Sequence, residues 1–171
     1  AGRTEPSEAQ GEAGMAGKPL RVISVGKIRT PFWKDAAAHY AGRLARWRPL
    51  ELTEVRDGDA ALPVGQRNAL EGKRLLESLQ PQDVPLVLDE RGTALTSPEL
   101  ARWLRQLDES GRGRPCFLVG GAYGLDDGVR HRAWKCLSLS AMTLPHELAR
   151  VLLLEQLYRA ECILRNVPYH H

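Results

Sequence analysis

From Leu20 onward the chain switches repeatedly between two periods. LRVISVG (Leu20 to Gly26) is a β-branched apolar run closed by glycine, which predicts a buried strand running into a loop. Between Lys34 and Trp47 the period lengthens: Ala37, Tyr40, Leu44 and Trp47 share one helical face, with Lys34, Arg43 and Arg46 elsewhere. LELTEV (Leu50 to Val55) alternates as a half-exposed strand does, and a turn rich in Gly and Asp leads to a helix with Leu75, Leu76 and Leu79 on its apolar face. VPLVLDERG (Val84 to Gly92) is a short continuous apolar run ending in charge, as a central parallel strand is, with a loop expected after Leu88. Ser97-Pro98 then offers an N-cap and a first-turn proline ahead of Leu100, Trp103, Leu104 and Leu107. Cys116 to Val119 reads as a strand broken by Gly120-Gly121, Asp126 as the cap of a short helix through Val129 and Ala133, and CLSL (Cys136 to Leu139) as the last strand. A final helix runs from about Pro145 to Arg165 and is apolar on most sides, so it must be buried on more than one; another copy of the chain is one candidate for the second partner.

Strands alternating with helices predict an α/β domain: a mostly parallel sheet with helices on both faces. Ligands of such sheets sit in loops at the carboxyl ends of strands, which directs attention to the loops after Leu88, Val119 and Leu139.

At 171 residues, with 43 % hydrophobic, the chain suits one packed domain. The expected division is a disordered tail over 1–18, poor in apolar residues and with Met15 a candidate natural start, followed by a single domain over 19–171. Lysine and arginine number 24 against 21 acidic residues, a mildly basic balance that permits a polyanionic partner without requiring one. Cys116, Cys136 and Cys162 are too widely spaced for a zinc knuckle and odd in number for a disulfide framework, so no metal site is assigned. They read as buried free thiols of a reducing cytoplasm. Apolar stretches such as VLLLEQLY from Val151 fall far short of the roughly 20 residues that span a membrane.

LVGGAYG (Leu118 to Gly124) follows a strand with glycines that let a ligand approach the backbone. It is not G-x-G-x-x-G, and no acidic residue stands where one would hold a ribose, so a dinucleotide site is disfavoured. SLSAMTLPHEL (Ser138 to Leu148) joins the last strand to the last helix through small and hydroxyl residues suited to backbone contacts. LVGGAYGL, SLSAMTLPHELARVLLLEQLYRA and the terminal NVPYHH, with LRVISVGK and LVLDERG earlier, resemble the RlmH family over roughly Leu20 to His171. These are SPOUT-class enzymes that methylate N3 of a pseudouridine in large-subunit ribosomal RNA.

The resemblance implies a C-terminal segment threaded through a loop as a deep trefoil knot, S-adenosyl-L-methionine as methyl donor, and a homodimer with a composite site. It carries the cofactor pocket to Leu88, Gly120, Gly121, Leu139, Ser140, Ala141, Met142, Thr143 and Leu144. It carries the catalytic role to Tyr169 and His170, with Glu155 and Arg159 as further catalytic candidates on the last helix; an ordinary i,i+4 pair is the alternative for these two. Members commonly place Arg or Lys after the PYH motif, where this chain has His171, a candidate RNA contact that is only partly charged near neutral pH. Lys27 and Arg29, with Lys34, form a cationic group after the first strand, a second candidate RNA contact or a solvated face. His146 reads as a residue that caps or packs the last helix, Thr143 as its alternative N-cap, and the four tryptophans as core. The expected substrate is large-subunit ribosomal RNA within the ribosome. A catalytically silent RNA-binding module and an enzyme acting on transfer RNA are the competing readings.

Overall fold

The computed structural model describes residues 18–171. The tail expected over 1–18 therefore lies outside the described residues except for Lys18. That residue is anchored: its ammonium donates to the carbonyls of Leu107 (3.1 Å) and Gly113 (2.9 Å).

Five strands, β1 (Leu20–Val25), β2 (Leu50–Val55), β3 (Asp83–Ala94), β4 (Arg114–Val119) and β5 (Lys135–Ser138), form one sheet in the order β2-β1-β4-β3-β5. Every pairing is parallel, because each strand is followed by a helix that returns the chain to the sheet's other end. The helices are α1 (Pro31–Trp47), α2 (Val64–Glu77), α3 (Ser97–Ser110), α4 (Asp127–Arg132) and α5 (His146–Leu164).

Side-chain alternation on the central strands separates two layers. Leu20, Val22, Leu86, Phe117 and Val119 face α1, α3 and α5, whereas Ile23, Val25, Val87, Cys116 and Leu118 face α2 and α4. All six residues of β1 are buried, as a central strand covered on both faces must be, while edge strand β2 leaves Leu52 half exposed. At the amino edge of the sheet, Asp83 accepts from Arg21 (2.6 Å) and Arg114 (2.5 Å), tying the first turns of β1, β3 and β4 together.

The expected helix α5, apolar on most sides, lies against both α1 and α3, so it is buried on more than one side within the chain itself. Where α1, α3 and α5 meet, Arg48 is 1 % exposed. Its guanidinium reaches Asp108 (2.6 Å), Glu161 (2.7 Å) and the Lys18 carbonyl (2.5 Å). The hydrophobic pattern gave no warning of this cation.

Several boundaries differ from the sequence reading. The cap of α3 is Thr96, which exchanges hydrogen bonds with Glu99 in a capping box; Ser97 lies inside the first turn and donates to Gln156 (2.6 Å), joining α3 to α5. Leu79 falls beyond the end of α2 but still packs into its layer. Among the thiols, Cys116 and Cys162 are buried and Cys136 is only half buried; all three are free. Burial pushes the Cys116 thiol up to about 12.

The largest departure is β3, which does not stop at Leu88. Leu88 and Thr93 both register with Leu137 of β5, so Asp89 to Gly92 form an excursion between two stretches of the same pairing. Gly92 lets this excursion close on β5, since a Cβ there would stand 2.7 Å from the Cys136 carbonyl.

Candidate functional site

A cavity of about 520 Å³ opens at the carboxyl edge of the sheet, beyond β3, β4 and β5. Of the residues expected to hold a cofactor, Leu88, Gly120, Gly121, Leu139, Ser140, Met142, Thr143 and Leu144 line it; Ala141 does not. The three loops read as ligand positions thus meet in one place. Val119, Leu125, Leu139 and Leu144 give apolar wall, and the glycines give bare backbone. Gly120 is forced by packing, since a Cβ would come within 2.7 Å of the Gly124 carbonyl oxygen and 2.8 Å of Leu125. A Cβ on Gly121 would press on Val25 (3.2 Å) and on buried Glu71 (3.1 Å).

The excursion of β3 supplies the polar wall, which the sequence reading did not assign. Asp89 accepts from Arg130 (2.7 Å) and from the Arg91 backbone (2.8 Å). Glu90 accepts the Thr143 hydroxyl (3.1 Å), bridging two loops of the cavity. Thr143 is therefore no helix cap: α5 starts after Pro145. Within the Ser138 to Leu148 segment, the Ser138 hydroxyl donates to the Ser140 carbonyl (2.9 Å) and the Met142 amide donates to the Ser140 hydroxyl (2.9 Å), which curls the chain around the cavity. His146, expected to pack or cap the helix, begins α5 and lines the cavity, as does Ala149 one turn on.

Lys27 and Arg29 are exposed on the loop after β1. That loop is fastened to the start of α5, where Glu147 accepts from the Arg29 amide (2.8 Å) and the Thr30 hydroxyl (2.8 Å). The Thr30 hydroxyl bond, with the bonds from the Arg29 and Thr30 amides, holds the Glu147 carboxyl below the usual carboxylate range. Arg150 adds a bond to the Gly26 carbonyl (3.0 Å). The two cations consequently sit on the same edge of the sheet as the cavity.

Tyr169, His170, Glu155 and Arg159 form a second cluster, away from the cavity. The Arg159 guanidinium donates twice to Glu155 Oε1 (2.6 and 3.1 Å), and the Tyr169 hydroxyl donates to the same oxygen (3.0 Å). Arg159 lies over the Tyr169 ring, 4.7 Å from its centroid, and donates to His170 Nδ1 at 3.2 Å. A guanidinium only donates, so Nδ1 accepts and the ring proton sits on Nε2. Burial, together with the bond to Glu155 and its negative charge, raises the Tyr169 phenol above its ordinary value against the opposing effect of Arg159. Gln156 completes the cluster by donating to Glu155 Oε2 (2.8 Å). His171 is exposed beside it. Glu155 and Arg159 are an i,i+4 pair, as the alternative reading has it, but one that the chain's last residues fold back to join. None of the four lines the cavity. His146 and Glu155 are nine positions apart on α5, about 13 Å along the axis.

Residues that the sequence reading passed over are Asp89, Glu90, Arg91 and Tyr123, all lining the cavity. The first three fall in the loop expected after Leu88, which was singled out as a ligand position without its charged residues being assigned. Tyr123 stands between Ala122 and Gly124 in the glycine loop, where an aromatic flanked by small residues after a strand was the available signal.

Among the described residues no helix is long and apolar enough to cross a membrane. The family model described as predicted SPOUT methyltransferase matches residues 19–170. A protein of Desulfovibrio desulfuricans named ribosomal RNA large subunit methyltransferase H is 75 % identical over 157 residues, covering 92 % of this chain and all of that protein. A protein of Nitratidesulfovibrio vulgaris with the same name is 59 % identical over 155 residues, covering 90 % of this chain and 99 % of its own. The crystal structure of a probable methyltransferase from Bordetella pertussis superposes with a TM-score of 0.57 at 19 % identity, covering 84 % of this chain and 95 % of that one, a likeness of fold. The five-stranded parallel sheet with its helices is accordingly a SPOUT fold, and this chain belongs to the SPOUT methyltransferase family.

Proposed function

We propose that the chain transfers a methyl group from S-adenosyl-L-methionine to N3 of a pseudouridine in large-subunit ribosomal RNA. The observation that carries this reading is the single cavity in which the three strand-end loops meet. Relatives that match almost the whole chain, and are themselves matched over nearly their full length, are named for methylation of large-subunit ribosomal RNA. The cavity suits the donor: about 520 Å³ lies within the range of small-molecule sites, apolar side chains offer room for an uncharged adenine and a thioether, and the Gly120 cradle has no space for a Cβ. Leu88, Gly120, Gly121, Leu139, Ser140, Met142, Thr143 and Leu144 would hold it.

When bound, the donor supplies a methyl group already activated by the positive charge on sulfur. The protein's part is to align that methyl with N3 and to deal with the N3 proton. The tail cluster fits the second task by donating rather than accepting: with its proton on Nε2, His170 can hydrogen-bond a carbonyl oxygen beside N3 and stabilise the anion left when the N3 proton goes to solvent. Glu155 and Arg159 hold the Tyr169 hydroxyl and the His170 ring in a fixed hydrogen-bonded chain, so both arrive at a substrate pre-oriented. Lys27, Arg29 and His171 would meet the RNA backbone from exposed positions.

Because the cluster does not line the cavity of its own chain, the reading includes a homodimer in which each tail completes its partner's cavity. It also includes the threaded C-terminal segment that the family resemblance implies. The substrate on this reading is the ribosome, and the compartment the cytoplasm. The test is methyl transfer by pure protein to ribosomes that carry the unmethylated pseudouridine, with the product nucleoside identified by mass spectrometry. We expect 3-methylpseudouridine in the large-subunit RNA. Donor binding without transfer to any RNA, or a methyl group found only in transfer RNA, would overturn the reading.

A further inference from the structure

N3 lies on the pairing edge of a uracil-type ring, so a base methylated there must be unpaired, and reaching a cavity it cannot enter within the stack requires it to be turned out. The enzyme has to replace the stacking that the base gives up, and aromatic side chains do so in RNA recognition. The four tryptophans are unavailable, since all pack against the core. Tyr123 is the one exposed aromatic ring that lines the cavity; it is 59 % exposed, whereas Phe32, the other large exposed ring among the described residues, does not line it.

The exposed ring is nevertheless held in place. Gly121 and Gly124 bridge to each other across the turn, with the Gly124 amide donating to the Gly121 carbonyl (3.2 Å). Asn68 donates to the Tyr123 carbonyl (3.1 Å). The Arg67 guanidinium, itself paired with Glu71, covers the ring at 5.4 Å from the centroid. An aromatic ring has two faces, and the cation occupies one. A large apolar side chain left exposed on a braced loop beside a cavity marks a binding surface, and its fixed position lowers the entropy lost when a flat ligand docks. Met142, 77 % exposed on another loop that lines the cavity, adds a second uncovered apolar group.

We propose that Tyr123 is the platform on which the target base stacks, positioning an extruded pyrimidine ring at the opening of the cavity. The proposal rests on the proposed function, and its test separates the two. Methyl transfer to unmethylated ribosomes is measured for the full chain, Y123A and Y123F, alongside calorimetric binding of S-adenosyl-L-methionine. Y123A should raise KM for ribosomes about tenfold or more, the scale of one lost aromatic–base stack, while donor affinity stays within about twofold. Y123F keeps the ring and should recover most of the loss. If the wild-type chain is active and Y123A has an unchanged KM, the proposal fails and the proposed function stands. Weakened donor binding at unchanged ribosome KM assigns the ring to the donor instead, and Y123F as poor as Y123A assigns the role to the hydroxyl; either result overturns it. A wild-type chain that methylates no ribosome overturns the proposed function and this proposal together.

Discussion

Glu161 and Glu155 lie six positions apart on α5, and each pairs with arginine, but water reaches them very differently. Glu161 and Arg48 have side chains 3 % and 0 % exposed, and Arg48, just after α1, is bonded to Asp108 of α3, Glu161 of α5 and the Lys18 carbonyl ahead of β1. Glu155 and Arg159 are 13 % and 24 % exposed, and their partners are the last residues of the chain. The same ion-pair chemistry therefore does two jobs on one helix. The buried network sets the geometry of the helical layer, while the partly exposed one holds Tyr169 and His170 against α5.

Removing one partner from each network should separate these jobs. Arg48→Met takes the close partner from buried Glu161, leaving it only the longer contact to Arg165 (3.5 Å), and also unpairs Asp108, so we expect a loss of about 3–5 kcal/mol in denaturant-unfolding stability. Arg159→Ala leaves Glu155 partly hydrated, so its cost in stability should stay under about 1 kcal/mol. Its effect on kcat for methyl transfer should be about 100-fold, equivalent to about 2.7 kcal/mol of barrier, because Tyr169 and His170 lose the group that orients them. Equal stability losses in the two variants, or an Arg159→Ala enzyme with normal kcat, would erase the distinction between the networks.

How far the sequence could anticipate this depends on which physical signal each feature leaves. Hydrophobic period located all five strands and all five helices, because each element buries a face with its own spacing. The small and hydroxyl residues after Val119 and Leu139 drew attention to the loops that border the cavity, and eight of the nine residues to which the family motif carried the cofactor pocket line it, Ala141 being the exception. Period is silent about a cation such as Arg48, which sits at the end of an amphipathic helix and is buried only because three elements converge on it. It predicts the loop after Leu88 but is silent about the return, in which Thr93 rejoins the ladder at the same partner residue. The cap of α3 was missed by one position, since Thr96 and Ser97 are both suitable residues and only the reciprocal bond to Glu99 decides between them. Separation of the tail cluster from the cavity follows from the length of α5 and is invisible in motifs that list both.

The smallest expected effect tests the half-exposed network without disturbing its charges. Tyr169 has an ordinary phenol value of 10.0, and in the folded chain burial and the Glu155 carboxylate raise it. The folded protein thus holds this proton more tightly than the unfolded chain does. The corresponding stability is fully present below pH 10 and is lost as pH rises through the higher, folded value. Tyr169→Phe retains the ring that Arg159 and Tyr158 pack against but has no proton to lose. Its stability should therefore fall less steeply than that of the wild type at alkaline pH, with the difference vanishing below pH 10 apart from a constant offset for the missing hydrogen bond. Ultraviolet titration of the two proteins should show the missing phenol as one that ionises above its ordinary range. Parallel stability profiles across the alkaline range would mean that the Tyr169 hydroxyl is not held by Glu155 in solution, and the oriented chain from Arg159 to the tail would then have lost its central bond.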